Sequence, residues 1–178
     1  MQSQGVEFAQ LPRSYGGSAT ETGQAFMKIG VVSDTHGLLR EEVLPALEGV
    51  QHILHAGDIG SADIIPALQE IAPTSAIRGN IDRSEWAEKF PEELQLELSG
   101  INIFMLHDLK ALRSDPAREG IDIVISGHSH KPASEWRDGV LYLNPGSCGP
   151  RRFRLPVTLV TLEIGDAIVG EPVFHQLI

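Results

Sequence analysis

The chain has 178 residues, of which 42% are hydrophobic and 21% are charged, a composition typical of one globular domain with a hydrophobic core. Its net charge of −10 argues against a protein that grips nucleic acid through a general basic surface. No apolar run approaches the length of a membrane span. The single cysteine, Cys148, excludes an intramolecular disulfide and suits a reducing compartment, which predicts a cytoplasmic protein.

Residues 1–26 differ from the rest of the chain, because they are rich in Gln, Gly, Ser and Thr and show no hydrophobic period. They lack the apolar region of a signal peptide, and their one Arg against two Glu is atypical of a transit peptide. We predict a flexible N-terminal extension over these residues, followed by a single domain over residues 27–178. An ordered arm that packs on a neighbouring subunit is the alternative.

From Met27 onward, short apolar runs alternate with amphipathic stretches. Strands are predicted at "KIGVVS", "HILHAG" and "TSAIRG". The two stretches between them, 38–49 and 61–72, predict helices, although Pro45 and Pro66 interrupt them. This half of the chain therefore predicts a βαβαβ unit.

The second half predicts mostly β-structure. "LQLELSGINIFML" holds two alternating segments around Ser99 and Gly100, which is typical of a β-hairpin. Residues 109–120 predict a helix that ends at Gly120, and further strands are predicted at "IDIVIS", "VLYLN", "VTLVTLEI" and "AIVGEPVFHQL". The whole pattern predicts an α/β sandwich with one mixed sheet or two packed sheets. An exposed "VTLVTL" strand could pair across a homo-oligomer, whose existence the sequence leaves open.

Five apolar strands each end in a polar cluster: "SDTHG", "AGD", "RGNID", "MLHD" and "SGHSH". Sites in α/β sheets gather beyond the carboxyl ends of strands, so these clusters are expected to converge. The candidate metal ligands they contain are two aspartates, one asparagine and four histidines: Asp34, His36, Asp58, Asn80, His107, His128 and His130. Such donors, without a thiolate, suit Mn, Fe, Zn, Ni or Co, and seven of them fit two ions if one carboxylate bridges. The flanking glycines are expected to permit positive φ or close approach to a ligand: Gly37, Gly57, Gly79 and Gly127.

The ordered set D-x-H, G-D, G-N, H and G-H-x-H is similar to the motifs of the calcineurin-like metallophosphoesterase superfamily. The small size, "GNID" at the third motif and "NPGS" at 144–147 resemble its compact bacterial and archaeal phosphodiesterase branch. The resemblance covers residue 27 to about residue 178. It implies a four-layer αββα sandwich of two mixed β-sheets and a metal-dependent phosphodiesterase that acts on a small-molecule phosphoester.

The resemblance also implies a role for each ligand. One ion would be held by Asp34, His36, Asp58 and His130, and the second by Asp58, Asn80, His107 and His128, with Asp58 as the bridge. Among these, Asp58, Asn80 and His107 would take part in catalysis. Two ions would activate a shared hydroxide for in-line attack on phosphorus. Manganese is the expected metal, with Fe, Zn, Ni and Co as alternatives.

Two positions depart from the superfamily pattern. Ile81 stands where many members have a histidine that protonates the leaving group, which predicts a preference for leaving groups of low pKa. Asp108 stands where the usual residue is glycine, so a left-handed turn there would need Asp to adopt it. Asp108 also adds negative charge near an anionic substrate, for which Lys110 could compensate. Asp82 is expected to orient a ligand or fix a loop.

The sequence allows either a structural or a functional role for several other residues. His52 and His55 are expected to pack structurally, His175 to lie at the surface or an edge, and Cys148 to be inert. Arg78 could meet a phosphate or form a surface ion pair. Steering of anions and simple solvation are equally open for Arg151, Arg152 and Arg154. Asn144 and Ser147 are expected to shape a turn below the site.

A non-catalytic function is the competing interpretation. The fold could serve as a metal-binding scaffold for protein–protein interaction, as the retromer subunit of the superfamily does. Because every ligand position is filled here, the sequence favours the enzyme.

Overall fold

A computed structural model of the chain describes residues 18–19, 25–152 and 154–178. The first of its two sheets contains β1 (Ser18–Ala19), β2 (Ala25–Val32), β3 (His52–His55), β4 (Thr74–Ala76), β10 (Thr158–Ile164) and β11 (Ile168–Gln176). Its strand order is β11-β10-β2-β3-β4, with β1 paired to the start of β2. Strands β2, β3 and β4 are parallel, whereas β10 is antiparallel to both of its neighbours, so the sheet is mixed.

The second sheet contains β5 (Glu93–Leu98), β6 (Ile101–Leu106), β7 (Ile123–Ile125), β8 (Ala133–Arg137) and β9 (Val140–Asn144) in the order β5-β6-β7-β9-β8. Strands β6, β7 and β9 are parallel, and an antiparallel strand closes each edge. The predicted hairpin is confirmed as β5 and β6. Ser99 and Gly100 have φ values of 48° and 84°, as a two-residue turn of the primed type requires.

The main hydrophobic core lies between the two sheets. Alternate residues of β2, such as Ile29 and Val31, point into this core, where they meet side chains such as Ile103 and Ile123 from the second sheet. Val32 points the other way, into a separate cluster beneath the helices. Two mixed sheets packed face to face confirm the predicted fold class.

The helices α1 (Val43–Ala46) and α2 (Ile64–Gln69) are shorter than the sequence predicts, although both pack on the outer face of the first sheet. Pro45 and Pro66 each fall in a first turn, where a backbone N–H would have no partner within the helix, so the prolines are tolerated. Among the described residues, no helix is long and apolar enough to cross a membrane.

The helix predicted over 109–120 is wrong. A short 3₁₀ helix, Leu109–Ala111, and a separate turn at 115–120 cover the outer face of the second sheet instead. Pro116 would fall in the interior of such a helix, where it removes a backbone hydrogen bond and disfavours helical backbone at Asp115, which explains why the helix is not continuous here.

Two strand assignments also change. The expected exposed strand "VTLVTL" is wrong, because β10 lies between β2 and β11 and is almost entirely buried. Strand β8, which the sequence does not predict, is an edge strand with all five residues exposed. Its side chains therefore show no apolar alternation.

The N-terminal prediction falls mostly outside the described residues, since residues 1–17 and 20–24 belong to none of the described ranges. Within the predicted extension, Ser18 and Ala19 pair with Phe26 and Ala25, which lengthens β2 beyond Met27. The flexible character of the extension stays a prediction.

Candidate metal centre

The seven candidate ligands lie at one end of the two-sheet sandwich, beyond the carboxyl ends of β2, β3, β4, β6 and β7. Backbone hydrogen bonds join the loops that carry them. The N–H of Asp34 donates to the carbonyl of Gly57 (3.0 Å), and the N–H of His36 donates to the carbonyl of Asp58 (3.0 Å). The site is therefore built from loops that are tied to each other beyond the strands, as the sequence predicts.

Most candidate ligands adopt an unusual backbone conformation. Seven non-glycine residues of the described chain have positive φ, and five of them are candidate ligands: Asp34, His36, Asp58, His128 and His130. For non-glycine residues this region costs free energy and persists where the surroundings hold it, often at functional sites. The repeated use of this conformation at the predicted ligands supports a functional site here.

A first group of ligand atoms comes from Asp34, His36 and His130. Asp34 Oδ1 lies 3.2 Å from Nε2 of His130 and 3.8 Å from Nε2 of His36, and the two imidazole nitrogens are 3.2 Å apart. The other oxygen of Asp34 accepts hydrogen bonds from Ser33 Oγ (2.7 Å) and from the N–H of His128 (3.1 Å). These two bonds fix the carboxylate so that Oδ1 faces the histidines.

A second group comes from Asp34, Asp58 and His107. His107 Nδ1 lies 2.7 Å from the carbonyl oxygen of Ala56, so Nδ1 carries the proton and Nε2 of the neutral ring is free to bind a cation. That Nε2 lies 3.3 Å from Asp58 Oδ1 and 4.0 Å from Asp34 Oδ1. Asp58 Oδ2 lies 3.7 Å from His36 Nε2, so the carboxylate of Asp58 faces both groups.

Buried polar atoms in this site lack partners. Asp34 Oδ1, His107 Nε2 and His130 Nδ1 are buried without a hydrogen bond. Burying such atoms is costly unless a compensating interaction is made. Two carboxylates and the surrounding imidazoles supply the oxygen and nitrogen donors that a divalent transition-metal ion would bind, so the residues fit the predicted metals.

Close contact between His107 and Asp58 shifts the pKa values of both side chains in the second group. Burial by itself would lower the pKa of His107, but the neighbouring carboxylate of Asp58 and the Ala56 carbonyl raise this pKa overall. Burial would raise the pKa of Asp58, but His107 and the N–H of Ile81 hold it below its ordinary value. Asp58 is therefore an anion at neutral pH, the form in which a carboxylate binds a metal ion.

Asn80 and His128 complete the cluster on its solvent side. His128 Nδ1 lies 3.1 Å from Asn80 Oδ1, and its ring packs edge to face on that of His107, with 5.3 Å between the ring centroids. Both side chains are exposed. All seven predicted ligands therefore belong to one connected set of side chains.

The backbone passes close to the carboxylates of Asp58 and Asp34 at two glycines. A Cβ atom added at Gly79 would lie 2.2 Å from Asp58 Oδ1, and one at Gly127 would lie 2.0 Å from Ser33 Oγ and 2.8 Å from Asp34 Oδ2. At these two positions glycine is required by space. The prediction that glycines allow close approach to the ligands is confirmed there.

Asp82 fixes the loops that present Asp58 and Asn80. Its buried carboxylate accepts hydrogen bonds from the N–H groups of Ile59 (2.9 Å), Gly60 (2.8 Å) and Gly79 (2.8 Å). The expected role of Asp82 in fixing a loop is confirmed.

His55 contributes more than packing. The N–H of Gly57 donates to His55 Nδ1 (3.2 Å), so Nε2 carries the proton and donates to Thr35 Oγ1 (2.9 Å), which in turn donates to the carbonyl of Ile59 (2.9 Å). This chain links the loops beyond β2 and β3 beneath the ligands. Complete burial lowers the pKa of His55 to about 4, which keeps the ring neutral. The sequence holds no signal for this link, because it depends on which loops meet.

The remaining ambiguous residues have structural partners. His52 meets Ser75 Oγ (2.9 Å) and His175 meets Thr161 Oγ1 (2.8 Å), while Arg78 forms an ion pair with Glu92 (3.0 Å). Asn144 Nδ2 donates to the carbonyl of Gly127 (2.7 Å), and Ser147 Oγ donates to the carbonyl of Asp34 (2.9 Å), so both shape loops of the site as predicted. Burial raises the pKa of the Cys148 thiol to about 12, in agreement with an inert residue.

Two charged side chains contact histidines of the cluster, Arg152 at His36 and Asp108 at His128. Arg152 Nη2 lies 3.4 Å from His36 Nδ1, a contact that the sequence could not assign. Asp108 Oδ2 lies 4.0 Å from His128 Nε2. Asp108 has a φ of −103°, so the expected left-handed backbone at this position is wrong, and its carboxylate instead caps the 3₁₀ helix by accepting the N–H of Lys110 (3.0 Å).

Residues 27–167 match the calcineurin-like phosphoesterase superfamily domain. The chain belongs to this superfamily. A probable metallophosphoesterase of Methanothermobacter thermautotrophicus is 34% identical over 157 residues, which covers 82% of this chain and 91% of the relative. A solved structure described as a novel archaeal phosphodiesterase is 27% identical, with a TM-score of 0.70 over 84% of this chain and 99% of its own. The resemblance read from the motifs is confirmed.

The same fold occurs in a protein that is not named as a phosphoesterase. Vacuolar Protein Sorting 29 from Cryptosporidium parvum matches with a TM-score of 0.68 at 16% identity, over 85% of this chain and 98% of its own. At this identity the likeness concerns the fold alone.

Proposed function

We propose that this superfamily member is a phosphodiesterase that depends on two divalent metal ions and hydrolyses phosphoester bonds by in-line attack of an activated water. The observation that carries the proposal is the pair of ligand groups that share Asp34, whose buried Oδ1 lies 4.0 Å from the buried Nε2 of His107 while neither atom makes a hydrogen bond. When bound, two divalent ions supply Lewis-acid activation of water and stabilise the charge that develops on the phosphoryl oxygens.

The superfamily assignment and the geometry together support a ligand for each ion. In this proposal Asp34, His36, Asp58 and His130 hold the first ion, and Asp58, Asn80, His107 and His128 hold the second. Asp58 is proposed as the bridge, and the two oxygens of its carboxylate face His107 and His36 from 3.3 and 3.7 Å. Manganese is the proposed metal, since carboxylate, amide and imidazole donors suit it.

The chain's own residues then prepare the site. Ser33 and the N–H of His128 orient Asp34, the N–H of Ile81 orients Asp58, and the Ala56 carbonyl holds the proton of His107 on Nδ1. Such outer hydrogen bonds fix ligand orientation before a cation arrives. The ligands are thus preorganised by their neighbours.

Diesters are the proposed substrate class. Ile81, at the rim beside Asn80, is 44% exposed and cannot transfer a proton. Without a proton donor at this position, a leaving group must depart as an anion, which favours low leaving-group pKa. The proposal is a preference for aryl phosphodiesters over alkyl phosphomonoesters among test substrates.

A metal titration with a matched pair of variants tests the proposal. Metal-free wild type, Asp58→Asn and Asp138→Asn are titrated with Mn²⁺ while hydrolysis of bis(4-nitrophenyl) phosphate is followed. Asp138 lies in the turn between β8 and β9, far along the hairpin from His130, so its variant controls for the loss of one charge. We expect metal-dependent turnover in wild type and in Asp138→Asn, and a loss of at least about 100-fold in Asp58→Asn. Equal turnover in all three proteins would contradict the dimetal mechanism.

The second candidate is a metal-binding scaffold for protein–protein interaction. The fold-level likeness to Vacuolar Protein Sorting 29 is the observation that favours it. A protein that binds Mn²⁺ through Asp58 but hydrolyses no aryl phosphoester in the same titration would support the scaffold in place of the enzyme.

A further inference from the structure

Asp108 places a fixed carboxylate at the rim of the candidate metal centre. It directly follows His107, and its Oδ1 is held by the N–H of Lys110 at 3.0 Å. Its Oδ2 lies 4.0 Å from Nε2 of His128. The side chain is half-exposed beside the exposed His128, so its charge lies on the solvent side of the cluster.

No side-chain cation neutralises this carboxylate within the described residues. Its contact with His128 is its one ion-pair contact there, and the expected compensation by Lys110 comes from the backbone N–H rather than from the ammonium group. The guanidinium of Arg152 lies at His36, and that of Arg83 donates to the backbone carbonyl of Asn80 (2.9 Å), so neither forms an ion pair with Asp108. The rim therefore carries guanidinium groups beside His36 and Asn80, and a carboxylate beside His128 that pairs with neither of them.

Asp108 is not part of either ligand group. Those groups combine Asp34 with His36 and His130, or with Asp58 and His107. Unlike the buried Asp34 and Asp58, Asp108 is partly exposed and one of its oxygens already caps a 3₁₀ helix. Its influence on a bound phosphate would therefore act through charge at a distance.

We infer that Asp108 selects singly charged phosphate esters over doubly charged ones. This inference rests on the proposed function, because it concerns phosphate groups bound at the metal centre. A diester phosphate carries one negative charge, whereas a monoester or inorganic phosphate carries close to two at about pH 8. The additional charge is repelled by the Asp108 carboxylate, which at a separation of several ångströms near solvent corresponds to a penalty of about three- to tenfold in affinity.

Asp108→Asn isolates this charge. Asparagine keeps an oxygen that can accept the N–H of Lys110, so the cap survives while the negative charge is lost. Asp138→Asn removes the same charge from the exposed turn between β8 and β9, where φ is 50° and asparagine is well tolerated. The two variants have the same net charge, so they differ in the location of the lost charge.

Calorimetric titration of the Mn²⁺-loaded proteins measures the selection without turnover. The probes are inorganic phosphate and dimethyl phosphate, at one pH near 8 and one low ionic strength. For Asp108→Asn we expect the affinity for phosphate to rise about three- to tenfold relative to that for dimethyl phosphate. The Asp138→Asn variant should show the wild-type ratio. The ratio of kcat/KM for 4-nitrophenyl phosphate to that for bis(4-nitrophenyl) phosphate should rise by a similar factor in Asp108→Asn.

The inference would be overturned if Asp108→Asn left the ratio of phosphate affinity to dimethyl phosphate affinity unchanged. It would also be overturned if Asp108→Asn lost more than tenfold in Mn²⁺ affinity, because Asp108 would then be a metal ligand. A wild type that binds neither anion would overturn it as well. Failure of the proposed function has a different signature. If wild type binds both anions but hydrolyses neither ester, the phosphodiesterase proposal fails, while the affinity ratio still decides the role of Asp108.

Discussion

Oδ1 of Asp34 lies 3.2 Å from Nε2 of His130, although 95 residues separate them in the chain and the carboxylate oxygen makes no hydrogen bond. A buried carboxylate oxygen in this position is stabilised far better by a cation than by a neutral imidazole. The loop beyond β2 and the loop beyond β7 thus meet at a point prepared for positive charge.

Binding of divalent metal should stabilise the folded protein through Asp34. Because each ion binds the native ligand set, Mn²⁺ at about 100 times the Kd of a site should add about 2.7 kcal/mol per occupied site to the free energy of unfolding of metal-free wild type. Asp34→Asn removes a carboxylate of the first ion's proposed ligand set, so Mn²⁺ should raise its thermal midpoint less than it raises that of wild type. Thermal unfolding with a chelator and then with Mn²⁺ measures both. Similar metal-induced shifts in the two proteins would show that the ion binds elsewhere.

A proton donor at position 81 should widen the range of leaving groups. Ile81→His places an imidazole at an exposed rim position, where it can protonate a departing oxygen. We expect hydrolysis of diesters with leaving groups of high pKa to rise by about 10²-fold or less, with little change for nitrophenyl esters. Rates across a series of aryl diesters give the dependence on leaving-group pKa.

The control for this experiment is Ile81→Gln, which is polar but transfers no proton. If Ile81→Gln accelerates the poor leaving groups as much as Ile81→His does, polarity and not proton transfer is responsible.

Loss of the Asp82 charge should destabilise the loops that carry Asp58 and Asn80. In Asp82→Asn, one oxygen is replaced by an NH₂ group that faces backbone N–H donors, so the charged hydrogen bonds either from Ile59 and Gly79 or from Gly60 are lost. We expect a loss of about 2–4 kcal/mol in the free energy of unfolding, together with weaker Mn²⁺ binding. Urea unfolding and metal titration measure the two effects.

Asp115→Asn is the matched control for this variant, because Asp115 pairs with Arg118 on the exposed surface. Its expected cost is below about 1 kcal/mol. A comparable loss in the two variants would mean that the buried contacts of Asp82 contribute little.

Stability should fall as the pH drops below the range in which histidine titrates. Burial lowers the pKa of both His52 and His55 to about 4 in the folded chain, whereas in the unfolded chain they take up protons near pH 6.5. The unfolded state therefore binds more protons between these values, so the stabilisation is complete above pH 6.5 and is lost as the pH falls toward 4. For the fully buried His55 the loss is on the order of 3 kcal/mol.

His52 allows a test that leaves the ligands untouched, because it lies beside Ser75 at the start of β3, the strand end opposite the site. His52→Gln should have a shallower dependence of the unfolding free energy on pH between 6.5 and 4 than wild type has. Urea unfolding across this pH range measures the dependence. If the unfolding free energies of the two proteins change in parallel with pH, the lowered pKa of His52 is contradicted. His175→Gln, at a less buried histidine, serves as the control.

The fold and the ligand set followed from local patterns to different extents. The hairpin at Ser99 and Gly100 could be predicted, because its turn chemistry and alternation are local. The helices at Pro45 and Pro66 were predicted too long, since amphipathic spacing does not reveal how much of a segment the sheet has room to cover. Strand β8 escaped prediction because an exposed edge strand has no buried face to impose a period.

The sequence by itself determined the superfamily and the order of the candidate ligands, because the type of each donor and its position after an apolar strand can be identified from neighbouring residues. Tertiary structure alone decided which of these atoms meet: that Asp34 faces histidines from two loops, that His55 links the loops beneath the site, and that Asp108 turns its charge toward His128. It also decided that five candidate ligands take positive φ. Each of these features depends on contacts between segments far apart in the chain, and the cost of such strained or unpaired groups is offset by packing that no local pattern encodes.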